Sequence, residues 1–275
     1  MRLSVITVNY NNAEGLQKTI SSVLSQTWKD FEYIIIDGAS TDESPDIIKK
    51  YSSQRLASIP AKQFKCISEP DTGIYNAMNK GIRMAKGEYI HFLNSGDWLV
   101  DDKVYERLNS MTSWKIDVIY GNKIEIYADG REILKKGIAK SNLTFDDAYR
   151  GIIPHTATFT KKELFDRFGL FDETFRIVSD TAFYLKAIGL GQCSTKYIDC
   201  TISYFDMQGI SKDPKNLALR EKELKNSRNK ILSPRLVEIY ELYLKEGYKL
   251  ERIKKNKITR FLFRVLNRMV YILDK

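Results

Sequence analysis

Glu88-Tyr-Ile-His-Phe-Leu-Asn-Ser-Gly-Asp-Trp98 is the stretch that decides how the rest of the chain is read. Tyr89 to Leu93 form a short apolar run that stops at polar residues and a glycine. A run of that length bounded by turn signals is the pattern of a buried strand at the centre of a parallel sheet. Ligands of open α/β sheets bind just beyond the carboxyl ends of such strands, which places Asp97 where a carboxylate can meet a ligand or its metal. Asn94-Ser-Gly-Asp97 are all favoured turn residues as well, and taken alone the stretch is explained equally well as a plain turn.

Working back toward the N-terminus, the same pattern recurs three times. Leu3 to Val8 reads as a buried strand closed by Asn9-Tyr-Asn-Asn12. Asn12 can cap the following helix, whose Leu16, Ile20, Val23 and Leu24 keep helical spacing. Tyr33 to Ile36 is a second strand, ending in Asp37-Gly-Ala-Ser-Thr-Asp42, and a helix follows from Ser44 to Tyr51 with Pro45 in its first turn. Phe64 to Ser68 is the third, ending in Glu69-Pro-Asp-Thr-Gly73, and the helix Ile74 to Ala85 leads into the central strand. This alternation implies a parallel, doubly wound sheet with right-handed crossovers.

Beyond Trp98 the pattern changes. Asp117 to Tyr120, Lys123 to Tyr127 and Glu132 to Lys135 read as short strands, the last two joined by the hairpin signal Ala128-Asp-Gly130. His155 to Phe159 reads as another, and Tyr197 to Tyr204 as the last. Helices are expected over Lys161 to Phe168 and Thr181 to Ile188, the latter capped by Ser179 or Asp180, and from Pro214 onward. The expected division is 1–213 for one α/β domain (1–98 and 99–213 as its halves) and 214–275 for a basic helical extension.

Composition agrees with a globular chain holding one large α/β domain plus an appendage: 275 residues, 43% hydrophobic and 12% aromatic. Cys66, Cys193 and Cys200 stand at unrelated spacings, neither metal motif nor disulfide framework, which points to a reducing cytosol. Met1 to Val8 is already a strand rather than a signal peptide, and no run of about 18 apolar residues could span a membrane. The net charge of +9 is concentrated late: Lys245 to Lys275 hold ten Lys and Arg against Glu246, Glu251 and Asp274. Ile258, Phe261, Leu262, Val265, Met269 and Ile272 recur there at helical spacing beside an Arg260, Arg264, Arg268 stripe. A basic amphipathic helix reads as peripheral membrane contact; packing on the domain or on a second copy, a homodimer, explains it too. No recognition motif points to nucleic acid.

At the strand ends, Thr7, Asn9, Asn11, Asp37, Glu69, Asp71, Asn94 and Asp97 would converge on one crevice. Amides and carboxylates there suit a nucleoside, with Asp97 facing a diphosphate through Mg²⁺ or Mn²⁺, the hard cations that oxygen ligands favour. Neither the Gly-x-Gly-x-x-Gly fingerprint nor a P-loop follows the first strand, so side chains must hold the nucleotide.

Val5-Ile-Thr-Val-Asn-Tyr-Asn11, Ser22-Val-Leu-Ser-Gln-Thr27, Tyr33-Ile-Ile-Ile-Asp-Gly-Ala-Ser-Thr-Asp42, Gly73-Ile-Tyr-Asn-Ala-Met-Asn-Lys-Gly81 and Gly87 to Asp97 come in the order of the motifs of glycosyltransferase family 2, which the chain resembles in its bacterial surface-polysaccharide type. The likeness is dense over about the first 100 residues and looser to about Ser211. It implies a GT-A fold, with a Rossmann-like, mostly parallel sheet, a small mixed β region and a helical tail. It also implies inverting transfer of a hexosyl or N-acetylhexosaminyl group from an NDP-sugar, UDP above all, to a glycan or lipid-linked acceptor, in the cytoplasm at the inner face of the membrane.

By resemblance, Thr7, Asn9, Asn11, Asp37 and Asp71 match positions on the nucleotide side, and Asp97 the metal residue. Asn94 and Gly96 stand where the family commonly has carboxylates, leaving Asp97 alone in that motif. Asp180 matches the family's base, with Asp172 and Glu173 as rivals. His155, in Pro154-His-Thr-Ala-Thr-Phe159, matches the acceptor side, and Gly209-Ile-Ser211 a loop near the donor phosphates. His91 reads as a core residue. Two other activities stay open: a catalytically silent nucleotide-binding homologue, kept alive by Asn94 and Gly96, and a nucleotidyltransferase.

Overall fold

The computed structural model describes residues 1–53, 60 and 63–255. The chain divides into two compact units, Met1–Leu224 and Lys225–Lys275. In the first, strands β1 (Leu3–Asn9), β2 (Phe31–Asp37), β3 (Phe64–Ser68) and β4 (Tyr89–Phe92) alternate with helices α1 (Ala13–Leu24), α2 (Ser44–Ser53) and α3 (Ile74–Met84). The strands lie parallel in the order β3-β2-β1-β4. Every residue of β1, β2 and β4 is buried, as strands covered on both faces must be. Each fully buried Ile or Val contributes about 1.5–3 kcal/mol relative to exposure.

α1 is capped by Asn12, whose side chain accepts the Gly15 N–H at 3.2 Å, and it buries Leu16, Ile20, Val23 and Leu24. α3 lies so close to β1 that a Cβ on Gly81 would come within 2.5 Å of the Ile6 side chain. At the amino ends of the strands the buried Glu32 carboxylate accepts Ser4 Oγ at 2.7 Å, Lys65 Nζ at 2.6 Å and the Lys86 and Gly87 N–H groups. Burial alone would raise its pKa, but these donors outweigh burial and hold it below the usual range. The lead into β4 is thereby fixed to β1 and β2.

The second half of the sheet is mixed. β5 (Trp98–Leu99), α4 (Val104–Met111), β6 (Val118–Ile126), β7 (Glu132–Lys135), α5 (Phe145–Tyr149), β8 (Thr158–Lys161), α6 (Glu163–Phe168), α7 (Ser179–Tyr184) and β9 (Thr195–Asp206) follow in turn. β8 pairs antiparallel with β4, and the order continues β8-β6-β9-β5, with β7 on β6 as the expected hairpin. α8 (Leu217–Ile231) and α9 (Pro234–Lys255) come last. No helix among the described residues is long and apolar enough to cross a membrane. The stripe from Ile258 to Ile272 lies outside the described residues.

Three local expectations are corrected. His155–Ala157 is a 3-10 turn rather than part of a strand, because the Pro154 carbonyl takes both the Ala157 N–H at 3.0 Å and the Thr158 hydroxyl at 2.7 Å. The two short strands around Gly121 are one strand, β6, with irregular register against β9 at Tyr120 to Lys123. Neither Ser179 nor Asp180 caps α7: Val178 holds the N-cap position, and no side chain makes the cap bond there.

His91 is a core residue, as the sequence implies. It is fully buried, and since a carbonyl only accepts, its Nε2–H donates to the Thr156 carbonyl at 2.9 Å. Nδ1 then accepts the Tyr105 hydroxyl at 3.1 Å. Burial lowers its pKa from 6.5 to about 4. The unfolded chain takes up this proton first, so the His91 contribution is intact above about pH 6.5 and is lost as pH falls toward about 4. At about 1.4 kcal/mol per pH unit the loss is on the order of 3 kcal/mol. Urea unfolding of wild type and His91→Phe at pH 7 and pH 4.5 should show the stability gap between them narrowing on acidification; a constant gap would mean that His91 is not held neutral.

Candidate active site

The parallel register places Asn9 beside Asp37, and Asp37 beside Ser68, at the carboxyl edge of the sheet. Asp37 Oδ1 accepts Asn9 Nδ2 at 2.7 Å and Ser40 Oγ at 2.6 Å, while Oδ2 accepts Ser68 Oγ at 2.7 Å and the Ser40 N–H at 3.0 Å. Burial pushes this carboxyl up, but the Ser40, Ser68 and Asn9 donors win and hold it below the ordinary range. Asn11, at φ +50°, donates its N–H to Ser40 Oγ at 2.8 Å and accepts the Thr41 N–H on Oδ1 at 2.8 Å. Asn9, Asn11 and Asp37 thus form one network that shapes the 37–42 loop. Thr7 lies deeper, fully buried, its hydroxyl donating to the Leu93 carbonyl at 2.7 Å. Asp71 pairs with Lys80 at 2.6 Å, and Lys80 also reaches Glu69 at 2.8 Å. Tyr10, which sequence reasoning passed over, is 70% exposed, and its ring lies against Gly38, as the Asp71 carboxylate does.

Asp97 sits at the end of the loop after β4. Gly96 takes φ +100°, a conformation that favours glycine, and donates its N–H to Thr19 Oγ1 at 3.1 Å. Asp97 is only 5% exposed, and its Oδ1 accepts the Asp206 N–H at 3.0 Å. Burial pushes its pKa up to about 8, and the Asp206 carboxylate adds to the rise, against the Asp206 N–H and Lys123. Asn94 Oδ1 is buried and lacks a hydrogen-bond partner. Asp206 was not foreseen: it ends β9, and only the pairing of Trp98 with Tyr204 carries it to Asp97. Lys123 was also missed. Its Nζ lies 3.1 Å from Glu125 and 4.0 Å over the Phe205 ring, and its charge acts on both Asp97 and His155.

Asp180 stands in the first turn of α7, its side chain 22% exposed. The Tyr75 hydroxyl donates to its Oδ1 at 3.0 Å, and His155 Nδ1 lies 3.6 Å from its Oδ2. Burial, then the adjacent Asp180 charge, raises the Tyr75 pKa, so the phenol stays a donor. Burial lowers the His155 pKa against the pull of Asp180, and its ring stacks on Phe92 at 5.6 Å. Among the rivals, Glu173 accepts Asn76 and Asn79 amides at 2.8 Å each, and Asp172 accepts the Thr174 hydroxyl at 2.6 Å. Of the three acids, Asp180 is the one beside His155. Ser211 sits partly buried in the turn closed by the Lys212 N–H on the Gly209 carbonyl at 2.9 Å.

Residues 4–178 match the family model of glycosyl transferase family 2. The chain belongs to that family. An uncharacterized glycosyltransferase of Mycobacterium tuberculosis is 32% identical over 214 residues, 76% of each chain. A UDP-Glc:α-D-GlcNAc-diphosphoundecaprenol β-1,3-glucosyltransferase of Escherichia coli, WfaP, is 36% identical over 120 residues, 44% of this chain and 45% of its own. The crystal structure of S. aureus TarS 1–349 with UDP shares the fold at TM-score 0.62 and 20% identity, covering 75% of this chain, which spans 60% of that one. Other structures of like fold hold Mn²⁺ together with a nucleotide or nucleotide sugar. The fold is therefore GT-A, and this family 2 transferase is an inverting glycosyltransferase acting from an NDP-sugar.

Proposed function

We propose that the protein transfers a hexose or N-acetylhexosamine from a UDP-sugar to a lipid-linked glycan acceptor, with Asp180 as the base. The observation that carries this reading is the Asp180 carboxylate, held by Tyr75 on one oxygen and facing His155 with the other while part of it stays open. An acceptor hydroxyl attacking the anomeric carbon gives its proton to such a carboxylate. The acceptor C–O bond forms as the bond between the anomeric carbon and the leaving phosphate oxygen breaks, on opposite faces of the sugar, which inverts the configuration. WfaP, named for UDP-Glc and a diphosphoundecaprenol-linked sugar, and the UDP in TarS support this donor and acceptor class.

The nucleoside would lie along the first three strand ends, where Asn9, Asn11 and Asp37 set the loop and Asp71 and the exposed Tyr10 ring face the opening. The diphosphate would lie toward Asp97. Burial, with a smaller push from the Asp206 carboxylate, raises the Asp97 pKa to about 8, and a cation beside the two would favour the ionised form. Among the described residues no group of three or more His, Cys, Asp or Glu could hold a metal, so Mg²⁺ or Mn²⁺ would be held by Asp97 and Asp206 only with the donor's phosphates as further ligands. Bound there, the ion would neutralise charge growing on the leaving diphosphate. Lys123 offers a fixed positive charge on the same side. The Gly209-Ile-Ser211 turn would cover the phosphates and limit hydrolysis.

Asp180→Asn should lower transfer by about 10²- to 10⁴-fold while UDP binding by calorimetry stays close to wild type. A folded Asp180→Asn protein with full turnover would remove Asp180 as the base, and turnover yielding pyrophosphate instead of UDP would make the protein a nucleotidyltransferase.

We also propose peripheral attachment to an anionic membrane through residues 245–275, whose net charge is +7. Each Lys or Arg near such a surface contributes about 1 kcal/mol, screened by salt. Full-length protein should sediment with anionic but not neutral liposomes at low salt, and a chain ending at residue 253 should stay in the supernatant. Binding that survives truncation would place the contact elsewhere.

A further inference from the structure

The segment that carries Asp180 is anchored from beyond the residues that the family model matches, which end at 178. α7 begins at Ser179 without a side-chain cap, so something else must fix the backbone that enters it. That group is Glu223, on the part of α8 that belongs to the first unit. Its Oε1 accepts the Arg176 N–H at 2.8 Å, and its Oε2 accepts the Ile177 N–H at 2.9 Å. Glu223 is 7% exposed, and Ile177 and Val178 are buried as well. A buried carboxylate that divides its two oxygens between consecutive N–H groups fixes both position and orientation, because charge-assisted bonds are short and strong. Asp180 follows three residues after Ile177. A shift of that entry would carry Asp180 away from the Tyr75 hydroxyl and the His155 ring, which belong to other elements.

We propose that Glu223 is a positioning residue for Asp180, and that the machinery of transfer therefore extends into α8. The inference rests on Asp180 being the base. Glu223 touches neither Asp180 nor its partners directly; it acts through the backbone of residues 176–178. The groups facing Asp180 are Tyr75 and His155, and the Asp180 charge also reaches the neutral Tyr184 phenol. Where the Tyr75 donor is displaced, a carboxylate loses a bond to its ionised form and keeps its proton to higher pH.

The test is steady-state kinetics across pH for full-length Glu223→Ala and Glu223→Gln, with Tyr75→Phe as the calibrating variant and UDP binding as the check on the donor side. Glu223→Ala should lower kcat roughly ten- to a hundredfold, the size of effect that a misplaced reacting group produces. Its KM for donor and its UDP affinity should stay near wild type, and the acid limb of its kcat profile should move to higher pH, as in Tyr75→Phe. Glu223→Gln retains one acceptor oxygen and should fall between, which keeps the test decisive if the alanine protein does not fold. Wild-type kcat with an unmoved acid limb in Glu223→Gln overturns the proposal. So does a loss of kcat and UDP affinity together with an unmoved limb, the signature of general unfolding. Were Asp180→Asn to keep full turnover, the reading of the base would fail first; a dead Asp180→Asn beside unaffected Glu223 variants would refute this inference alone.

Discussion

A hydrogen bond across 109 residues, from the Asp206 N–H to Asp97 Oδ1, ties the end of β9 to the loop after β4, where the two halves of the sheet meet. On one side stand the parallel strands β1 to β4, whose register stacks Asn9, Asp37 and Ser68 at one edge. On the other stand β6, β8 and β9, which bring in Lys123, His155 and the chain toward Asp180. β4 connects them through β8, and β5 closes the far side by pairing Trp98 with Tyr204. With that pairing, the last residue of β9 reaches the carboxylate that ends the β4 loop.

The arrangement is electrostatically uneasy, and the unease has a direction. Asp97 is buried next to Asp206 and holds its proton up to about 8, whereas Asp37, equally buried, is held ionised by four donors. Two carboxyl groups on one sheet edge thus have opposite tasks. Asp37 is saturated by its own protein and shapes the loop; Asp97 has one oxygen bonded by the Asp206 N–H and, as its neighbour, the Asp206 carboxylate, which accepts the Gln208 N–H at 2.9 Å. A buried carboxyl that the fold keeps protonated, beside one on the same edge held ionised, marks a candidate place for a ligand that favours the ionised form.

Much of this was legible in the sequence, and the rest was not for a definite reason. The first four strands were readable because each apolar run is short, continuous and followed by turn residues, a local signal. Asn12 as the α1 cap, the β6–β7 hairpin and the buried His91 are local too. Asp97 and Asp180 could be named from motif resemblance; that His155 stands beside Asp180 is seen only in the structure. Asp206, Lys123 and Glu223 went unseen because their places depend on long-range pairing: one on an antiparallel pairing two residues long, one on an irregular β6–β9 register, one on a helix late in the chain. The strand expected at His155 failed because Pro154 accepts from the residues that follow it. The cap expected at Asp180 failed because α7 begins earlier, at Ser179, which puts Asp180 inside the first turn.

The central claim is that one diphosphate and cation site forms where Asp97 meets Asp206. Paramagnetic broadening in ¹H–¹⁵N spectra of the deuterated full-length protein tests it most directly, with substoichiometric Mn²⁺ added in the presence of UDP. The account predicts that the amides of Asp97 and Asp206 broaden first, with the 94–97 loop and the end of β9 following and the amino ends of β1 to β4 unaffected. Broadening centred elsewhere, or none at these amides while UDP is bound, would contradict it.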